Sequence, residues 1–181
     1  MLKAAGLKFT TQQPKIDERA LEQILLHLSP AQIALKLAHA KALSLDDETK
    51  SVWIIGADQI LEFEGQVIHK AQSINEAILN LRLLSGQMHQ LHSAVCVVQN
   101  NELRFSHLAT ATLYMRNLSK EFLQTYSKSE PEALLHSVGG YHVEGIGIQL
   151  FDHIEGDIHT IMGMPLLPLL AFLRQTSIIQ T

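Results

Sequence analysis

Trp53-Ile54-Ile55-Gly56-Ala57-Asp58-Gln59 is the stretch on which the fold turns. With Val52 ahead of it, residues 52–55 make a short, wholly apolar, β-branched run, the pattern of a strand buried on both faces. Asp58 then follows at the strand's carboxyl end, after two small residues. In open α/β sheets, ligands bind in the crevice beyond the carboxyl ends of the strands. Gly56 and Ala57 leave room for a ligand or metal near the backbone, and Asp58 points into that space. A turn carboxylate that merely ends a strand fits the same residues equally well.

Around this centre the pattern alternates helix and strand. Residues 1–5 read as the last turn of a helix closed by Gly6, with a strand over 7–11. An acidic loop, Ile16-Asp17-Glu18, leads into helical apolar spacing over 20–28. Ser29 as N-cap with Pro30 at the first helical position opens a second helix, which carries Lys36 and Lys41. A polar connection over 46–50 enters the central strand. Beyond Asp58, residues 60–70 read as a hairpin turning at Glu64-Gly65, which brings Lys70 back toward Asp58. Ser73-Ile74-Asn75-Glu76 has the capping-box pattern of a helix that Gly86 ends.

Residues 88–98 and 103–115 are rich in β-formers and joined by Asn100-Asn101, an antiparallel hairpin. Short helices follow Ser119 and Pro131. Four of the ten glycines fall within 137–147, which implies backbone bending or the close approach of a ligand. A strand over 148–151, a turn at Gly156-Asp157 and an apolar helix from Pro165 complete the chain.

Composition narrows the function. A length of 181 residues suits a single domain, 1–181, with two lobes around one cleft. The formal charge of −4 provides no basic patch, so nucleic acid is not an expected partner. The single cysteine, Cys96, sits in an apolar run and reads as a core residue of a protein from a reducing cytoplasm. No run is long enough to span a bilayer and no signal peptide is evident, so a cytoplasmic protein without membrane contact is expected.

Ten histidines invite a zinc reading, but there is no HExxH, and His89 and His92 face opposite sides of one strand. There is no phosphate loop of the GxxxxGK type and no nucleophile in a recognisable setting. What remains is acidic: Asp17, Glu18, Asp58, Glu144 and Asp157, each at or beside a loop, accompanied by Lys41 and Lys70. Carboxylates with lysines and no nucleophile suit metal-assisted attack of water on a phosphoanhydride. Each of these charges taken singly is as well explained as solvated surface.

The order of short motifs resembles that of the Maf family of nucleoside triphosphate pyrophosphatases. The matching pieces are Ile16-Asp17-Glu18, Leu37-Ala38-His39-Ala40-Lys41-Ala42, Ile55-Gly56-Ala57-Asp58-Gln59, Lys70, and Leu84-Ser85-Gly86-Gln87-Met88-His89. Gly140-Tyr141-His142-Val143-Glu144-Gly145, Gly156-Asp157 and Met162-Gly163-Met164-Pro165-Leu166 follow in the family's order. The resemblance implies an α/β, two-lobed mixed-sheet fold of the Maf/ITPase-like kind with a central cleft. It also implies hydrolysis between the α and β phosphates with a divalent cation, Mg2+ or Mn2+. On that resemblance Asp58 is the proton acceptor, Lys70 is catalytic, Lys41 binds phosphate and Glu18 holds the metal or its waters. A homodimer is implied as well, since the family is often dimeric.

Gln59 and Glu144 occupy the positions that separate family branches, and the pattern is similar to the branch acting on 7-methyl-GTP. Glu144 can accept hydrogen bonds from guanine N1–H and the 2-amino group, and a pyrimidine offers no such pair. Two departures stand out. The family opens with a Ser-x-Ser-x-x-Arg loop, and this sequence begins after that point. This raises the alternative of a catalytically weakened, nucleotide-binding or division-regulating relative. His69-Lys70-Ala71 replaces the family's Gly-Lys-Pro.

Overall fold

The computed structural model describes residues 1–45 and 52–180. The expected polar connection over 46–50 lies outside them. The elements are α1 (Glu18–Leu25), α2 (Pro30–Leu43), β1 (Ile54–Phe63), β2 (Gln66–Ile68), α3 (Ile74–Leu84), β3 (Met88–Gln99) and β4 (Glu102–Met115). Then come α4 (Lys120–Ser129), α5 (Pro131–His136), a 3-10 turn (Ile146–Leu150), β5 (Phe151–Glu155), α6 (Ile158–Ile161) and α7 (Leu166–Gln175). The α/β class is the expected one.

The strands form one sheet in the order β2-β1-β3-β4-β5, and all of its pairings are antiparallel. That corrects the reading of the central strand. β1 runs on through ten residues, so Asp58 lies in mid-strand opposite Ala94 and not at a carboxyl end. The rule that places ligands beyond strand ends belongs to parallel sheets, and here the site arises differently. β2 pairs only with Leu61, Glu62 and Phe63. Among the described residues no strand pairs with the outer edge of 54–60, and this open edge is where the cavity lies.

The β3–β4 hairpin is as expected, and its turn has a physical signature. Asn100 and Asn101 both take positive φ, +54° and +60°, the conformation that matches the right-handed twist of the flanking strands. The hairpin at Glu64-Gly65 is likewise present, again with two positive φ values. Ser29 caps α2, with Gln32 returning to the Ser29 N–H as a full capping box. At α3 only half the box forms: Ser73 accepts from the Glu76 N–H, while the Glu76 carboxylate reaches the Gln72 N–H instead.

One expected strand is absent and another is displaced. Residues 1–5 do wind into a turn that Gly6 closes at φ +81°, but 7–11 form no strand. Residues 146–150 form a 3-10 turn, and the strand starts later, at Phe151.

The even-numbered face of β1 and β3 (Ile60, Ala94, Cys96) packs under α2 through Ile33, Ala34, Leu37 and Ala38. The odd-numbered face carries two separate cores. Val95 and Val97 meet Leu169 and Leu173 of α7, while Leu61, Leu91 and Leu113 meet α3, α4 and α5 through Leu81, Leu123 and Leu134. Cys96 is fully buried and its thiol is pushed up to about 11 by burial, so it is an inert core residue. Among the described residues no helix is long and apolar enough to cross a membrane.

Candidate functional site

Gly56 sets the site's geometry. A Cβ there would overlap the Ala38 carbonyl oxygen and come within 2.7 Å of the Ala42 backbone nitrogen. The missing side chain therefore admits the helix α2, not a ligand as the sequence suggested. Asp58, two residues on, lies on the same face of the strand. The close approach brings Lys41, in the last turn of α2, directly over it. The Lys41 Nζ lies 2.6 Å from Asp58 Oδ1 and 2.9 Å from Glu18 Oε2. Glu18 is delivered by the first turn of α1, whose N-cap Asp17 accepts from the Ala20 N–H.

Asp58 and Lys41 are largely shielded from water, with side chains 10% and 18% exposed, while Glu18 closes the cluster from the solvent side at 47%. Burial pushes Asp58 up to about 6, against the pull of Lys41 and with some help from the negative charges of Glu18 and Glu22. Lys41 is raised as well, but for the opposite reason. Burial opposes its charge, but Asp58 and Glu18 together outweigh that and hold it above its usual value. The result is a firmly cationic lysine beside a carboxylate that titrates near neutrality.

All six expected site residues line one cavity of about 920 Å³: Glu18, Lys41, Asp58, Gln59, Lys70 and Glu144. That volume falls within the roughly 300–1,000 Å³ usual for small-molecule sites. Asp58 and Gln59 face opposite sides of β1 and still share the cavity, because it wraps around the strand's open edge. The Gln59 amide nitrogen donates to Ser93 Oγ (2.9 Å) and to the carbonyls of Ile161 (2.9 Å) and Thr160 (3.1 Å). Lys70 leaves β2 two residues after Ile68 and reaches the same cavity.

Two expected acids are not brought there. Asp157 caps α6, accepting from the His159 and Thr160 N–H groups and from the Thr160 hydroxyl. Asp17 caps α1. The glycine-rich segment lines the cavity through Gly139 and residues 141–144, but its glycines serve its own packing. A Cβ on Gly147 would strike the His142 backbone.

Sequence reasoning missed Glu22, which lines the cavity one turn along α1 from Glu18. The i, i+4 spacing of two acids on one helix was the available signal. His89 is fully buried with Nε2 2.6 Å from the Tyr141 hydroxyl. Among the described residues its Nδ1 has no partner, and burial holds the ring down at about 4, hence neutral. His92 points to the other side, as expected, and meets Glu62 and Thr110. Among the described residues no group of three or more His, Cys, Asp or Glu is arranged to hold a metal ion.

The profile of the family described as "Maf-like protein" matches residues 1–176. A 7-methyl-GTP pyrophosphatase of Bartonella henselae is 44% identical over 179 residues, covering 99% of this chain and 90% of that protein. A 7-methyl-GTP pyrophosphatase of Rhizobium meliloti is 45% identical over 177 residues, 97% of this chain and 89% of that protein. A nucleoside triphosphate pyrophosphatase of Nitrobacter winogradskyi is 42% identical over 174 residues, 96% of this chain and 86% of that protein.

Proposed function

The chain belongs to the Maf family, and from that premise we propose that it is a nucleoside triphosphate pyrophosphatase acting on 7-methyl-GTP or a closely similar purine nucleotide. The observation that carries the reading is the Glu18–Lys41–Asp58 cluster on the wall of the cavity, with its Lys41–Asp58 pair largely out of water. Asp58 takes a proton from a water molecule as the water oxygen attacks the α-phosphorus. The bond from that phosphorus to the α–β bridging oxygen breaks, and pyrophosphate leaves. A base titrating at about 6 is mostly ionised at neutral pH while remaining a competent acceptor. Lys41 and Lys70 neutralise phosphate oxygens as charge moves onto the leaving group, the dominant form of catalysis where positioning and electrostatics do the work.

The donor set fits a hard divalent ion of the magnesium or manganese kind. Glu18 and Asp58 supply carboxylate oxygens, and such an ion is bound through one or two carboxylates plus substrate phosphates, not by a closed protein cage. When bound it adds charge neutralisation at the phosphates. At the other end Glu144 accepts from the guanine Watson–Crick edge, and its charge favours the cationic ring of a 7-methylated base. The Gln59 amide oxygen adds a second acceptor, its nitrogen being tied to the 160–161 segment. We place the whole chain in one domain whose two lobes meet at this cavity.

The test is pyrophosphate release from a nucleotide panel with magnesium or manganese. The expected result is turnover of 7-methyl-GTP above UTP and dTTP, and its loss in Asp58→Asn. Tight binding without release in the wild-type protein would establish the weakened, binding-only alternative instead.

A further inference from the structure

Lys70 sits in a linker, residues 69–73, with no strand ladder to fix it, since β2 ends at Ile68. Something else has to hold it over the cavity. On one side Ala71 is buried in the core beside Leu81 and Leu84, and Gln72 reaches the Lys70 carbonyl through its side-chain amide at 3.4 Å. On the other side is a pair that the catalytic scheme leaves unused. The Glu22 carboxylate, only 16% exposed, lies 3.7 Å from Nδ1 of His69, whose own side chain is 67% exposed. Both residues line the cavity, one from α1 and one from the end of the β1–β2 hairpin.

We infer that Glu22 and His69 form a clasp across the cavity mouth that positions Lys70 against the substrate's phosphates. The inference rests on the pyrophosphatase reading for what Lys70 does, and stands by itself for what holds Lys70. A single exposed pair contributes little. Here, however, the carboxylate is largely out of water, and among the described residues its ion-pair partner is the ring beside it. The clasp also accounts for the departure at 69–71 from Gly-Lys-Pro. Ala71 anchors the linker by burial where a proline would stiffen it, and His69 adds a tether that glycine lacks. Both residues are positioning residues, since neither needs to touch the reacting atoms.

The experiment compares Glu22→Gln, His69→Asn and His69→Lys, the last placing a permanent cation at the clasp. Two readouts are used: steady-state kinetics with 7-methyl-GTP, and hydrogen–deuterium exchange of the amides of residues 66–72 without nucleotide. Glu22→Gln and His69→Asn should each raise KM roughly three- to fivefold, the size of one weak pair, and kcat should stay nearly unchanged in His69→Asn, which leaves the acids around Asp58 in place. The double variant should be no worse than either single one. Exchange over 66–72 should quicken in both, and His69→Lys should restore KM and exchange together. Additive KM effects, or a His69→Lys protein that behaves like His69→Asn, would overturn the clasp. Because His69 is exposed, its variants fold even where Glu22→Gln does not. If the wild type released no pyrophosphate, the functional reading would fail while the exchange measurement still decided the clasp.

Discussion

Two buried ionisable residues pull the protein's acid response in opposite directions. Asp58 is raised in the folded chain, so it favours folding fully below the ordinary carboxylate range, and that contribution is lost as pH rises through about 6. His89 is lowered to about 4, so its contribution is present above its ordinary value of 6.5 and is lost as pH falls toward 4. Between pH 7.5 and 5 the histidine removes about 2 kcal/mol while the carboxylate returns somewhat less. Wild-type stability should therefore be nearly flat in this range. In Asp58→Asn, urea unfolding should show a steep loss between pH 7.5 and 5, and in His89→Gln stability should rise on acidification. Equal slopes in all three proteins would show that neither group is as buried as described. At the same scale, turnover should fall by at least roughly 100-fold in Asp58→Asn, the lower bound for removing a general base. Circular dichroism of that variant should be unchanged.

At the scale of elements, the Gly56–α2 contact joins fold to site. Gly56→Ala forces the helix away from β1 at Ala38 and Ala42, an overpacking that costs about 1–3 kcal/mol. The shift also moves Lys41 off Asp58, so turnover should drop along with the melting temperature. A variant that melts earlier but keeps full turnover would separate the packing from the chemistry. This contact explains what could and could not be read in advance. The β3–β4 hairpin was legible because its signal is local: alternating β-formers around an Asn-Asn turn. The caps at Ser29 and Ser119 were legible for the same reason, each set by a hydroxyl within three residues of its target. The length of β1 was not legible, because its seven residues beyond β2 are strand only through pairing with β3, forty residues on. Residues 7–11 show the converse, β-like composition with no partner to pair with. The site residues surfaced as a set through motif order, and the pairing of Glu22 stayed hidden because its partner, His69, lies far along the chain.

At the scale of the whole molecule, the cavity draws on both faces of the sheet and on the loop 136–144, so any occupant links segments distant in sequence. A ligand that binds only the folded chain stabilises it by mass action, about 2.7 kcal/mol at a concentration of one hundred times Kd. For a chain of this size that corresponds to a rise of roughly 5–10 °C in melting temperature. A non-hydrolysable triphosphate analogue with magnesium should give a shift of this order. If the divalent ion arrives with the phosphates, each alone should do little. Magnesium without nucleotide should leave the melting temperature in place, and a chelator should abolish turnover and most of the nucleotide's shift without unfolding the protein. A rise of several degrees with the metal alone would mean that the carboxylates form a site of their own before substrate arrives. Such a site would have to use the second oxygen of each carboxylate or displace Lys41, since Glu18 Oε2 and Asp58 Oδ1 are both held by that one ammonium.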